Sequence, residues 1–183
     1  PICQFEKLPD SIVRSLRLKN PSMEALRDMD VGELGDLVGN HKVAKSLAKM
    51  IDRFPFIEID AEVFPITSNV LRVHLDLIPD FLWDERYHGG IQAFWVMVEG
   101  SEISNNGSEL LHVERIIMNK KSVKSDTPHS MDFMIPLTDP LPAQIVVKVV
   151  SDMWIGLEPT HTVLFQHLIR PTNETIRTNL LRL

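Results

Sequence analysis

A single cysteine, Cys3, stands in a chain of 183 residues. That rules out a disulfide framework and a thiolate zinc cluster, and it points to an intracellular, reducing compartment. The triplets Asn106-Gly107-Ser108 and Asn173-Glu174-Thr175 then read as chance rather than as glycan acceptors. No apolar run approaches the roughly 18 to 20 residues that a membrane-spanning helix needs, and the opening "PICQFEKLPDS" has neither the basic nor the apolar region of a signal peptide. Enzyme signatures are missing as well. There is no GxxxxGK[ST] phosphate loop, no GxGxxG after a strand, no GxSxG elbow and no HExxH. Internal repeats and low-complexity stretches are absent. The non-Met start and the end at Leu183 point to a segment cut from a longer chain, long enough for one ordinary domain or two small ones.

Charge is present but unevenly spread. The net charge is −6, yet residues 1 to 56 hold 9 Lys or Arg against 8 Asp or Glu, whereas residues 57 to 183 hold 10 against 17. An acidic surface repels phosphate over a Debye length of about 8 to 10 Å, so any nucleic-acid contact belongs in the first third.

The hydrophobic pattern divides at the same place. Ser22 ahead of "MEALRDM" is a capped short helix, and Asp30 with Glu33 has capping-box spacing for a second, "VGELGDLV". Gly39-Asn40 closes that helix and caps a third, "HKVAKSLAKMIDRF", stopped by Pro55, in which Val43, Leu47, Met50, Ile51 and Phe54 form one apolar stripe. Helices of two or three turns do not hold themselves in water, so these faces must pack on one another or on a neighbour. Residues 1–21 form a connecting segment and a leading helix, "IVRSLRL", and residues 22–55 a small helical domain.

From Ile57 the period becomes two. "IEIDAEV" and "LRVHLDL" alternate as half-buried antiparallel strands, and strand-like runs follow at residues 91–98, 109–118, 131–137, 144–152 and 162–169. Asn106-Gly107 is a hairpin signal, and Pro136 suits an edge strand because it donates no ladder hydrogen bond. Seven short strands without intervening helices predict an α+β chain in two parts: a small helical domain, then a seven-stranded antiparallel immunoglobulin-like or fibronectin type III-like β-sandwich over residues 56–171. A barrel is the alternative.

Two constellations are candidates for function. The loop "PDFLWDERYHGG", residues 79–90, gathers Asp84, Glu85 and His88, which as a set would serve acid-base or metal chemistry. The competing reading is structural: Phe81 and Trp83 cover the end of the sandwich, Asp84 or His88 satisfies loop amides, and Gly89-Gly90 supplies permissive backbone. The aromatic content also suits protein contact. On the third helix, Lys42, Lys45, Lys49 and Arg53 fall on one face turned away from the apolar stripe, a ridge able to track a phosphate backbone or simply a solvated face. Gly32-Glu33-Leu34-Gly35 matches the KH GxxG only in letters, because it lies inside a capped helix. The seven histidines are scattered, with His74 and His112 on polar strand positions.

The segments "SMEALRDMDVGELGDLVGN", "PDFLWDERYHGGIQAFWVMVE", "LTDPLPAQIVVKVVSDMWIGLE" and "VLFQHLIRP" together resemble, from about Leu8 to Pro171, the Sec-sixty-three homology unit of the Ski-two-like RNA helicases with two cassettes. That unit comprises a helical bundle, a helix-loop-helix domain and a fibronectin type III-like or immunoglobulin-like domain; this chain resembles the last two. Residues 172–183 resemble the linker into a following helicase cassette, which implies the first copy of the unit. Overall similarity leans to relatives acting on stalled or colliding ribosomes, with the spliceosomal helicase and the endoplasmic reticulum translocon homologue as alternatives.

The resemblance implies a non-catalytic accessory and protein-interaction module, with ATP and Mg needed only in the helicase cassettes of the parent chain. Implied partners are those adjacent cassettes, single-stranded RNA held weakly by Lys42, Lys45, Lys49 and Arg53, and other protein subunits or the ribosome, in the cytoplasm or also the nucleus, with no membrane. Trp83, Asp84, His88 and Gly89 match the family's own loop positions, beside Phe81, and are implied to be structural. The β-sandwich enzyme using Asp84, Glu85 and His88 is the alternative of another class.

Overall fold

Helices occupy the first third because capping signals close each short apolar pattern. The computed structural model describes residues 1–5, 8–101, 108–125, 127–137 and 144–164. After a single 3-10 turn, α1 (Asp10–Lys19), α2 (Met23–Asp28), α3 (Val31–Val38) and α4 (His41–Ile51) follow in quick succession. The Ser22 hydroxyl accepts from the Ala25 amide at 3.1 Å, and Asp30 and Glu33 form the reciprocal capping box, at 2.8 and 2.9 Å. Gly39 ends α3 in the left-handed region, at φ 67, which a side chain would disfavour.

α4 is shorter than its sequence pattern suggests. It stops at Ile51, and the Arg53 and Phe54 amides donate to the Met50 and Ile51 carbonyls, a tightened last turn. The residue before Pro55 is disfavoured in the α region, and the turn delivers Phe54 into the same core as Leu47, Met50 and Ile51 of the stripe. The core of the helical part runs from Ile2 and Phe5, through α1 and α2, to Phe54 and Phe56, so residues of the leading segment share it with residues 22–55. Trp154 and Leu157, from the far end of the chain, complete it.

Seven antiparallel strands follow. β1 (Ile57–Thr67), β2 (Val70–Pro79) and β5 (His129–Pro136) form one sheet in the order β1-β2-β5. β3 (Ile91–Ser101), β4 (Ser108–Asn119), β6 (Gln144–Ser151) and β7 (Thr160–Leu164) form the other in the order β4-β3-β6-β7. Among the described residues the two sheets stay separate, which makes this a sandwich and not a barrel. Leu71, Val73, Leu75 and Leu77 of β2 face Phe94, Val96 and Val98 of β3 across a closed core, each burial stabilising by about 1.5–3 kcal/mol. Pro136 lies at the end of edge strand β5, opposite Val70. Two one-turn helices, α5 (Glu85–His88) and α6 (Lys120–Lys124), cover one end. Asn106-Gly107, the last part of the seventh predicted strand and the 172–183 linker lie outside the described residues.

Candidate functional site

The basic ridge depends on how α4 is held. Asn40 caps it, its Oδ1 accepting from the Lys42 and Val43 amides at 3.1 and 3.3 Å, while Ala44, Leu47 and Ile51 are buried against the other helices. Lys42, Lys45 and Lys49 are consequently exposed on the opposite face. Arg53 is not part of that open row. Its guanidinium is half-buried, with Nε donating to Asp84 at 3.0 Å and Nη1 to the Lys49 carbonyl at 2.7 Å. The structure thus brings three of the four basic residues together and turns the fourth toward the sandwich loop.

That loop is a joint between the two cores. Asp84 caps α5 by accepting from the Arg86 amide and also holds the Arg86 and Arg53 side chains. The Arg86 guanidinium, with Arg53 assisting, keeps its carboxyl well below the usual carboxylate range. Glu85 points elsewhere, to Lys120 at 2.7 Å, which lowers its pKa too. His88 is buried, its ring packed among Phe81, Trp83 and Trp154. Its Nε2 lies 2.9 Å from the Arg53 carbonyl oxygen, which only accepts, so Nε2 carries the proton. Nδ1 of the neutral ring then accepts from the Asp84 amide at 2.9 Å. Burial pushes the His88 pKa down, in keeping with that neutral form.

Asp84, Glu85 and His88 therefore do not converge on a common point. Two are ion-paired to different cations, and the third has both nitrogens committed to backbone. Gly89, at φ 63 and ψ −147, turns the chain into β3 through backbone open essentially only to glycine. Phe81 is buried in the sandwich core and Trp83 packs beside it.

Two contributors were not singled out by sequence reasoning. Gln92 is fully buried; its amide nitrogen donates to the His88 carbonyl at 2.7 Å and its oxygen accepts from Trp154 Nε1 at 3.0 Å. Trp154 in turn packs tilted against Phe5 and edge-on against Phe54 of the helical core, at 4.7 and 5.6 Å between centroids. The available signal was a Gln at a core-facing position of β3, two residues before Phe94. A cleft of about 790 Å³ opens beside the joint, between Arg53, Phe56, Phe81 and Trp83; of the acids that line it, Asp80 and Asp84 are paired to Arg27 and Arg53, and Asp52 is the third.

Residues 22–164 match the family described as Sec63 Brl domain. The whole chain is 55% identical to part of the RQC trigger complex helicase SLH1 of Saccharomyces cerevisiae, covering 9% of that protein. It is 38% identical to the U5 small nuclear ribonucleoprotein 200 kDa helicase of Caenorhabditis elegans and 35% to activating signal cointegrator 1 complex subunit 3 of Gallus gallus, covering 8% of each. The chain spans less than a tenth of the curated relatives it matches. A helix-loop-helix part with Asp30-capped α3 and lysine-faced α4, joined through His88, Gln92 and Trp154 to a sandwich, is the form this sequence takes, and the chain belongs to the Sec63 Brl domain family as it occurs in Ski-two-like RNA helicases.

Proposed function

We propose that this chain is a non-catalytic accessory and interaction module of a large ATP-dependent RNA helicase of the branch linked to ribosome-associated quality control, in the first of its two units. The 55% identity to a helicase named for the RQC trigger complex supports that branch over the spliceosomal one, at 38%. ATP and Mg act in the parent's cassettes, and this module sits beside them in the cytoplasm, meeting those cassettes and other subunits or the ribosome.

The observation that carries an RNA-guiding role is the row Lys42, Lys45 and Lys49, solvent-facing on a helix whose other face is locked into a core. Three phosphate contacts to a single strand give a salt slope of about −2.1, so binding weakens about 18-fold between about 50 and 200 mM salt. Fluorescence-anisotropy titration of single-stranded RNA tests this, with Lys42, Lys45 and Lys49 changed together to Glu. Salt-sensitive binding lost in the triple variant supports guidance by α4. Binding that survives the charge reversal places the RNA contact elsewhere.

A further inference from the structure

The acidic part of the chain gathers positive charge at one place. Residues 57 to 183 hold 10 Lys or Arg against 17 Asp or Glu, yet Lys120, Lys121 and Lys124 all fall within α6. Glu114 and Asp126 bound a stretch, residues 115–125, that contains no acid. α6 is held at both faces. The Asn119 Oδ1 accepts from the Lys121 and Ser122 amides at 2.9 and 3.0 Å, the Ser122 hydroxyl accepts from the Asn119 amide at 2.8 Å, and Val123 is buried in the sandwich core. The three lysines are consequently exposed. Lys120 is engaged by Glu85 at 2.7 Å, whereas no ion pair holds Lys121 or Lys124 among the described residues. α6 also stands where the basic row of α4 ends. The Lys49 carbonyl accepts from the Arg53 guanidinium, and Arg53 and Lys124 line the same cleft beside the joint. Of the acids on its walls, Asp80 and Asp84 carry their own guanidinium partners, and Asp52 is the one without an ion pair among the described residues. Positive charge therefore runs from Lys42 along α4 to Lys49, and resumes across the cleft at Lys124 and, one turn away, Lys121.

We propose that Lys121 and Lys124 of α6 are a second phosphate-contact site, which takes up the backbone of a single RNA strand after it has passed along α4 and over the cleft. The inference rests on the reading of α4 as an RNA-guiding helix, and it extends that path onto the sandwich. Binding of single strands without sequence preference needs a positively charged groove that tracks the backbone, and the cleft between two lysine-bearing helices has that form. Lysines that hold no carboxylate meet a phosphate without first giving up an ion pair. The acidic surface of the rest of the sandwich repels phosphate over about a Debye length of 8 to 10 Å, which confines the strand to this end. An acidic protein segment would suit two lysines equally well. The continuity with Lys42, Lys45 and Lys49 favours a polyanion whose charge repeats at every unit and which is long enough to touch both helices.

The test is a salt series on the 183-residue chain with a labelled oligouridylate of about 16 nucleotides, the upper end of common single-strand site sizes. Each phosphate contacted on a single strand adds about 0.7 to the slope, so two further contacts steepen it from about −2.1 for α4 alone to about −3.5. Between about 50 and 200 mM salt the wild type should then weaken about 130-fold, and the double variant Lys121→Gln/Lys124→Gln only about 18-fold. Both lysines are exposed, so the urea midpoint of the variant should match the wild type. Lys148→Gln, on β6, removes a charge elsewhere on the sandwich and should keep the wild-type slope. A double variant with the wild-type slope overturns the proposal, and if reversal of Lys42, Lys45 and Lys49 still abolishes binding, the reading of α4 stands without it. A Lys148→Gln slope as shallow as that of the double variant overturns it too, because diffuse charge then accounts for the effect. So does a double variant that binds RNA as the wild type does but loses binding to oligoglutamate, which assigns the lysines to an acidic protein partner. A wild type with no salt-sensitive RNA binding removes both the site and the reading beneath it.

Discussion

Replacing His88 by Gln tests the joint between the two cores through its pH dependence. In the folded chain the buried ring is neutral, donating to the Arg53 carbonyl and accepting from the Asp84 amide. Protonation would turn Nδ1 into a donor, abandoning that amide for the Asp84 carbonyl 3.0 Å away, and would place a charge among Phe81, Trp83 and Trp154. Burial accordingly sets the folded pKa below the ordinary 6.5. The unfolded chain then binds more protons between the two values, so this contribution is complete well above pH 6.5 and is lost as pH falls through 6.5 toward the folded value. One group with an unfolded pKa of 6.5 loses at most about 1.4 kcal/mol between pH 7.5 and pH 5.5. Asp84, Glu85 and Asp132, all lowered, titrate below this window. The other histidines are common to both proteins and cancel in the comparison.

The assay is urea unfolding of the wild type and His88→Gln at the two pH values. Gln keeps a donor group and an acceptor group but not the ring, and the variant should be about 1–3 kcal/mol less stable at pH 7.5. The wild type should lose more stability than the variant on acidification. Equal losses, or a wild type that gains stability at pH 5.5, would refute the assignment of a buried neutral imidazole.

The two tryptophans of the joint make a paired test. Trp154→Phe leaves the buried Gln92 oxygen without its donor, at a cost of about 1–3 kcal/mol, whereas Trp83→Phe removes a buried indole N–H that has no acceptor among the described residues and loses only ring volume. Urea unfolding should therefore rank Trp154→Phe clearly below Trp83→Phe; equal stabilities would contradict the pairing. Asn40→Ala, which strips two amides at the start of α4 of their acceptor, should cost about 1 kcal/mol, and Asn40→Asp should restore it.

Local signals were legible because their causes are local. The Ser22 cap, the Asp30–Glu33 box and the Gly39 stop each involve groups within four residues, so spacing alone identifies them. The seven strands were legible from alternation, since β2 places Leu71, Val73, Leu75 and Leu77 on one face whatever lies across from it. Arg53 shows the limit. Its helical spacing puts it on the ridge, but the turn before Pro55 and the Asp84 carboxylate, 31 residues away, withdraw it.

The loop at residues 79–90 shows the same boundary from the other side. Composition suggested either chemistry or a cover for the sandwich, and the distinction lay in partners that sequence spacing does not reveal: Lys120 for Glu85, and the Arg53 carbonyl for His88. By itself the sequence determined where helices and strands begin, which faces they bury, and where positive charge concentrates, because these follow from neighbours along the chain. Only the tertiary structure decided that Trp154, reaching from beyond β6 to Phe5 and Phe54, locks the two cores together, and that His88 lies buried against the Arg53 carbonyl. Those outcomes depend on contacts between residues up to about 150 positions apart, which arise when the two sheets and the helices close on one another.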